Sequence, residues 1–132
     1  MTAVDTNVLV RFLTGDDPKQ SVAARSLFMS GPVWIAKTVL LETAWVLSRL
    51  YGFEENTIHE AFYRLLGLEN VHAEDHTAIA AALALTKHGV EIADAIHLSS
   101  RPSGAVFVSF DQSFIKRATR AGAEDVSILP GR

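Results

Sequence analysis

The sequence predicts an α/β fold in which helices cover both faces of a mostly parallel sheet. Three observations point to it. Short apolar runs of strand character alternate with stretches of helical periodicity along the whole chain. Strands separated by helices are joined by crossovers and therefore run parallel. The runs themselves, such as "PVWIA" (32–36) and "GAVFVSF" (104–110), are apolar almost without alternation, as strands covered on both faces must be.

Taken in order, "TAVDT" is a short β-compatible opening, followed by a short helix over residues 7–13. "GDDPKQ" is a turn in which Asp17 and Pro18 have the look of a helix start, with Asp as N-cap and Pro in the first helical position. That helix runs to about Ser30 and stops at Gly31. "PVWIA" is the second strand. Thr38 is expected to cap a helix reaching Tyr51 and closed by Gly52. "EENTIHEAFYRLLG" is a further helix and "NVHA" a weak third strand. Asp75 is expected to cap "HTAIAAALALTKHG", and a shorter helix covers "ADAIHLSS". "GAVFVSF" is the clearest strand, "DQSFIKRATRAG" a helix and "VSIL" the last strand. No repeat, low-complexity tract or linker interrupts the chain, so residues 1–132 are expected to form a single domain.

Bulk properties narrow the function. The chain has 132 residues, 48% of them hydrophobic, which is enough to build a core. A net charge of -3 argues against a broad basic surface for gripping duplex DNA, though not against a small nucleic-acid site. Without cysteine there are no disulfides and no thiolate metal sites. The start lacks the pattern of a signal peptide and no apolar run has membrane-spanning length, so a cytoplasmic protein is the expectation. No G-x-G-x-x-G or P-loop is present.

Four acidic residues stand where apolar ones are expected. Asp5 interrupts an apolar strand-to-helix run, Glu42 lies in "TVLLETAWVL", Asp94 in "EIADAIHL", and Asp111 follows "AVFVSF". A lone buried charge is prohibitively unfavourable, so a carboxylate in such a run needs a partner. Each has a structural reading. Asp111 serves as an N-cap, and Glu42 and Asp94 as first-turn acids favoured by the helix dipole. Together they point elsewhere. Ligands of open parallel α/β sheets bind beyond the carboxyl ends of the strands, and all four acids map to that edge. No Lys or Arg lies within three residues of Asp5, Glu42 or Asp94. A bound divalent cation would relieve the resulting repulsion, and oxygen ligands without cysteine suit Mg²⁺ or Mn²⁺.

"VDTNVL", Glu42 in "LLETAWVL", Asp94 in "IADAIHL" and "FVSFDQSF", in that order, resemble the PIN domain family, and most of all the VapC-type toxins of bacterial toxin–antitoxin pairs. The resemblance covers nearly the whole chain. It implies a three-layer α/β/α fold with a five-stranded parallel sheet and a magnesium-dependent endoribonuclease. It implies acidic-site roles for Asp5, Glu42, Asp94 and Asp111, and auxiliary polar roles for Asn7, Ser109 and Thr6. It also implies a cognate antitoxin and a homodimer, for which the large apolar residues of "SVAARSLFM" and "AFYRLLGL" offer surfaces. The chemistry is consistent with the residues: Asp5, Asp94 and Asp111 would hold the metal, with Glu42 a ligand or an orienter of water.

Other residues favour plainer readings. His97 shares a helical face with Asp94, but a magnesium site does not favour imidazole, so a packed histidine is expected. Trp34 and Trp45 lie in apolar runs and are expected in the core. Lys116, Arg117 and Arg120 form a solvated basic stretch that would suit a phosphate contact, and Arg11 is similar. Two other functions fit less well. A phosphatase or receiver with Asp5 as phosphate acceptor would want a paired-Asp motif or a late-strand Lys, and neither is present. A non-catalytic binding module of the same fold would not need all four acids.

Overall fold

In the computed structural model, which describes residues 1–131, the chain divides into two compact units, Met1–His76 and Thr77–Arg132.

The first unit begins with strand β1 (Thr2–Ala3) and continues through helices α1 (Thr6–Thr14) and α2 (Pro18–Met29). Strand β2 (Val33–Ile35), helices α3 (Lys37–Arg49) and α4 (Glu55–Leu66) and strand β3 (Val71–Ala73) complete it. The sheet has the order β1-β2-β3 and is parallel throughout, with Val33 facing Thr2 on one side and Val71 on the other. Helix α1 packs on α2 and α3, and α4 on α3 and β3; Leu9, Val10, Leu40 and Phe62 of these helices are buried, as are Val33 and Ile35 of β2.

Local signals set most boundaries. Asp17 caps α2 by accepting the Gln20 N–H at 2.9 Å, with Pro18 in the first turn, as the sequence predicts. Helix α1 ends at Gly15, whose φ of 66° is a left-handed conformation that glycine adopts without strain. The cap expected from Thr38 does not form. Helix α3 starts two residues earlier, with Ala36 as N-cap and no side-chain capping bond. Instead the Glu74 carboxylate, beyond β3, accepts the Lys37 N–H at 2.9 Å, while Lys37 Nζ pairs with Asp75 at 2.8 Å.

The apolar sequence "TVLLETAWVL" predicts a helix buried on most sides, and α3 is not. It buries Leu40, Thr43, Ala44 and Leu47, a stripe at helical spacing. Glu42 and Trp45 lie off that stripe, so Glu42 is exposed and Trp45, expected in the core, is 56% exposed. Trp34, in β2, is half-buried.

The second unit holds α5 (His76–Thr86) from its second residue onward, α6 (Ile92–Ser99), β4 (Phe107–Ser109), α7 (Gln112–Arg120) and β5 (Val126–Ile128). Strands β4 and β5 pair in parallel, Val108 opposite Ser127. Arg101 secures the approach to this pair: its guanidinium donates to the carbonyls of Ala105, Glu124 and Asp125 at 2.7–3.0 Å. Phe107 packs edge-on against Phe114 with ring centroids 5.8 Å apart.

The single five-stranded sheet expected from the sequence is instead a three-stranded and a two-stranded sheet. The strands are too short to impose wider pairing. Strand β1 has two residues and every other strand three, so each ladder rests on very few hydrogen bonds. "GAVFVSF" contributes only three of its seven residues to β4, and Val106, Val108 and Phe110 are exposed along it. Among the described residues no helix is long and apolar enough to cross a membrane.

Candidate functional site

The β1 ladder runs out at Val4, whose N–H donates to the Trp34 carbonyl at 3.3 Å. Asp5 is therefore the first residue beyond the sheet. Its backbone is extended (φ -92°, ψ 177°) and its side chain accepts the Val8 N–H at 3.1 Å, making it the N-cap of α1. The sequence predicts that Asp5 is a buried carboxylate in need of a cation. In the structure it is exposed, and one oxygen already has a capping task. The apolar run misled because the helix starts at Thr6, which turns Asp5 from a strand residue into a cap.

Thr6 links this end of the sheet to α3. It is buried, and its hydroxyl donates a short hydrogen bond to the Glu42 carboxylate. The two acids of the first unit are thus joined through one side chain, since Thr6 is covalently next to Asp5. Asn7 is exposed, and no other described residue hydrogen-bonds its side chain.

The second unit repeats the arrangement of Asp5. Asp111 follows β4, caps α7 by accepting the Phe114 N–H at 3.0 Å, and is exposed. Its own N–H donates to Ser109 Oγ at 3.0 Å, so Ser109 fixes the turn that presents the carboxylate. Asp94 lies half-buried in the first turn of α6, and its N–H donates to Glu91 Oε2 at 3.4 Å. Glu91, the N-cap of α6, is a further acid beside Asp94 that the apolar-context signal does not single out. Its position immediately before "IADAIHL", three residues ahead of Asp94, was the signal available.

Taken singly, these carboxylates have the chemistry of hard-cation ligands. Asp5, Glu42 and Asp111 make no ion pair with any Lys, Arg or His among the described residues, and each keeps oxygen lone pairs beyond its one protein donor. Among the described residues no three His, Asp or Glu side chains stand together as a ready metal-holding group. His97, expected to be packed, is exposed in the last turn of α6. Lys116, Arg117 and Arg120 are exposed along α7, the solvated face expected of them.

Beside Asp5, Arg11 organises a polar network. Its Nη1 donates to the Tyr51 hydroxyl at 2.9 Å and to Asp16 at 3.3 Å, and its Nε to Gln20 Oε1 at 2.8 Å. The Tyr51 hydroxyl in turn donates to Asp16 at 2.6 Å, and Thr14 donates to the other oxygen at 2.8 Å. The Tyr51 bond first, then the Thr14 bond and the Arg11 charge, hold the Asp16 carboxyl below the usual aspartate range. A depressed carboxyl contributes stability that is present above the unfolded-state pKa and lost as pH falls through the folded one. That window therefore lies in acid, below about 3.9. In Tyr51→Phe the Asp16 carboxyl is expected to titrate at higher pH than in the wild type. Side-chain carboxyl NMR checks this, and an unchanged midpoint would remove Tyr51 as the principal cause.

The family model of the PIN domain matches residues 2–120, which include every one of these acids. No curated protein matches the chain.

Proposed function

The chain belongs to the PIN domain family, generally a metal-dependent nuclease fold, and on that premise we propose that it is a magnesium-dependent endoribonuclease, the toxin of a VapBC-type toxin–antitoxin pair. The observation that carries this reading is the matched presentation of Asp5 and Asp111. Each stands just past a parallel strand, is held by the N–H three residues on, and lacks a basic partner among the described residues.

Asp5, Asp94 and Asp111 would hold the cation, Mg²⁺ or in its place Mn²⁺. When bound, it neutralises charge on the phosphate and makes water a better nucleophile. The chain's own residues prepare for this. The capping bonds hold Asp5 and Asp111 in fixed orientations. Thr6 holds the Glu42 carboxylate, leaving its second oxygen to accept a proton from water. The Asn7 amide is free to donate to a phosphate oxygen. Hydrolysis of this kind leaves a 5′-phosphate and a 3′-hydroxyl.

A toxin requires a neutralising partner, and the first unit presents apolar surface for one. Val22 and Met29 on α2 are 59% and 80% exposed, and Tyr63 and Leu68 in and after α4 are 48% and 42% exposed. We assign this surface to a cognate antitoxin or a second copy of the chain, acting in the cytoplasm.

The test is cleavage of total cellular RNA by purified protein. With Mg²⁺ the expected products carry 5′-phosphate ends, and excess chelator abolishes them. Activity that persists in chelator, or cyclic-phosphate ends, would contradict the reading. Expression alone should arrest growth, with relief from the adjacent gene product. Harmless expression of active enzyme would remove the toxin role and leave the nuclease.

A further inference from the structure

We propose that the groove between α1 and α2 is a subsite for one nucleobase, and that it selects guanine. The choice of a nucleobase as occupant rests on the nuclease reading above; the selectivity rests on the groove itself.

The groove encloses about 370 Å³. That is near the lower end of the range for small-molecule sites, roughly 300–1,000 Å³, and suits a single base. Its apolar wall consists of Val8 from α1 and Ala23, Ala24 and Leu27 from α2. The two alanines keep that wall low, leaving room for a flat ring to lie against it. Asp5 also lines the groove, which puts a bound base beside the proposed cleavage site.

Arg11 and Gln20 supply the donor end of the groove, with the Asn7 amide and the Asp5 carboxylate also in its polar lining. Arginine carries donors and no acceptor, so the Arg11 Nε–H bond at 2.8 Å obliges the Gln20 amide to turn its oxygen inward and its NH₂ away. Arg11 is itself immobilised through Nη1 by Tyr51 and Asp16, while Nη2 has no partner among the described residues. The N–H groups that the pair leaves unpaired among the described residues are those of Arg11 Nη2 and the Gln20 amide, so it presents mainly hydrogen-bond donors, with Arg11 held in place before any ligand arrives. Guanine, with N7 and O6 side by side, presents two adjacent acceptors. Adenine alternates acceptor and donor on the same edge, and cytosine presents an amino donor. A purine also covers more of the apolar wall than a pyrimidine.

The experiment is a titration of the intact protein with guanosine, adenosine, cytidine and uridine, followed by methyl and side-chain amide NMR. It needs neither metal nor turnover. Guanosine should shift the Ala23, Ala24 and Leu27 methyls and the Gln20 NH₂, and bind about tenfold more tightly than adenosine. Gln20→Glu keeps a partner for Arg11 but replaces the outward donor with an acceptor. In that variant guanosine should lose its advantage, and adenosine or cytidine should overtake it. Equal binding of all four nucleosides, no shifts at these residues, or an unchanged preference in Gln20→Glu would overturn the proposal. Guanosine selectivity in a protein that cuts no RNA would uphold the subsite and sink the nuclease. RNA cleavage with no selectivity would do the reverse.

Discussion

Asp5→Asn is expected to lower RNA cleavage by roughly 10² to 10³, the scale seen when a group that stabilises transition-state charge is removed. The substitution deletes one negative charge and very little else. Asn is as good an N-cap as Asp, so the bond from the Val8 N–H survives and α1 keeps its start. Because Asp5 is exposed, its effect on stability without metal should stay within about 0.5 kcal/mol of zero. Asp5→Ala removes the cap as well and should be less stable by about 1 kcal/mol. Activity and chemical denaturation of both variants separate the two roles. If Asn retains activity and only Ala is impaired, Asp5 is a structural cap and nothing more.

The largest effect on stability is expected at Phe62. It is the largest of the fully buried side chains, on α4, with none of its surface in contact with solvent. Phe62→Ala should destabilise by about 3–5 kcal/mol, combining lost transfer energy with the cavity left behind. Marginal stability makes that a large fraction of the total, roughly 5–15 kcal/mol for a domain. Urea denaturation measures it. A loss below about 1 kcal/mol would mean that the core of the first unit collapses around the gap or is not packed as described.

What was legible in the sequence was what is encoded locally. Asp17 and Pro18 announce α2 because capping involves residues only three apart. Asp111 was recognised as a cap for the same reason. Asp5 was not, because one apolar run spans both the strand and the helix, and hydrophobicity alone does not mark the change at Thr6. In α3, Leu41 and Trp45 flank the buried stripe, so composition exaggerates its burial. The Thr6–Glu42 bond joins residues 36 apart, and the Glu74 bond to Lys37 joins residues 37 apart. Neither leaves a mark in local pattern. Sheet pairing is equally nonlocal, which is why five strands were legible and their division into two sheets was not. The acids themselves stood out because charge in an apolar context is rare, and the PIN domain match spans all four positions.

Asp5 is assigned to help hold a divalent cation. The most direct test is the change in melting temperature that Mn²⁺ produces, relative to chelator, in the wild type and in Asp5→Asn. A cation that binds only the folded protein, present at 100 times its Kd, adds about 2.7 kcal/mol. For a chain of this size that corresponds to a rise of roughly 10 °C. The wild type should show such a rise, and in Asp5→Asn most of it should vanish while the melt in chelator stays where it was. Equal rises in both proteins, or none in the wild type, would contradict the assignment.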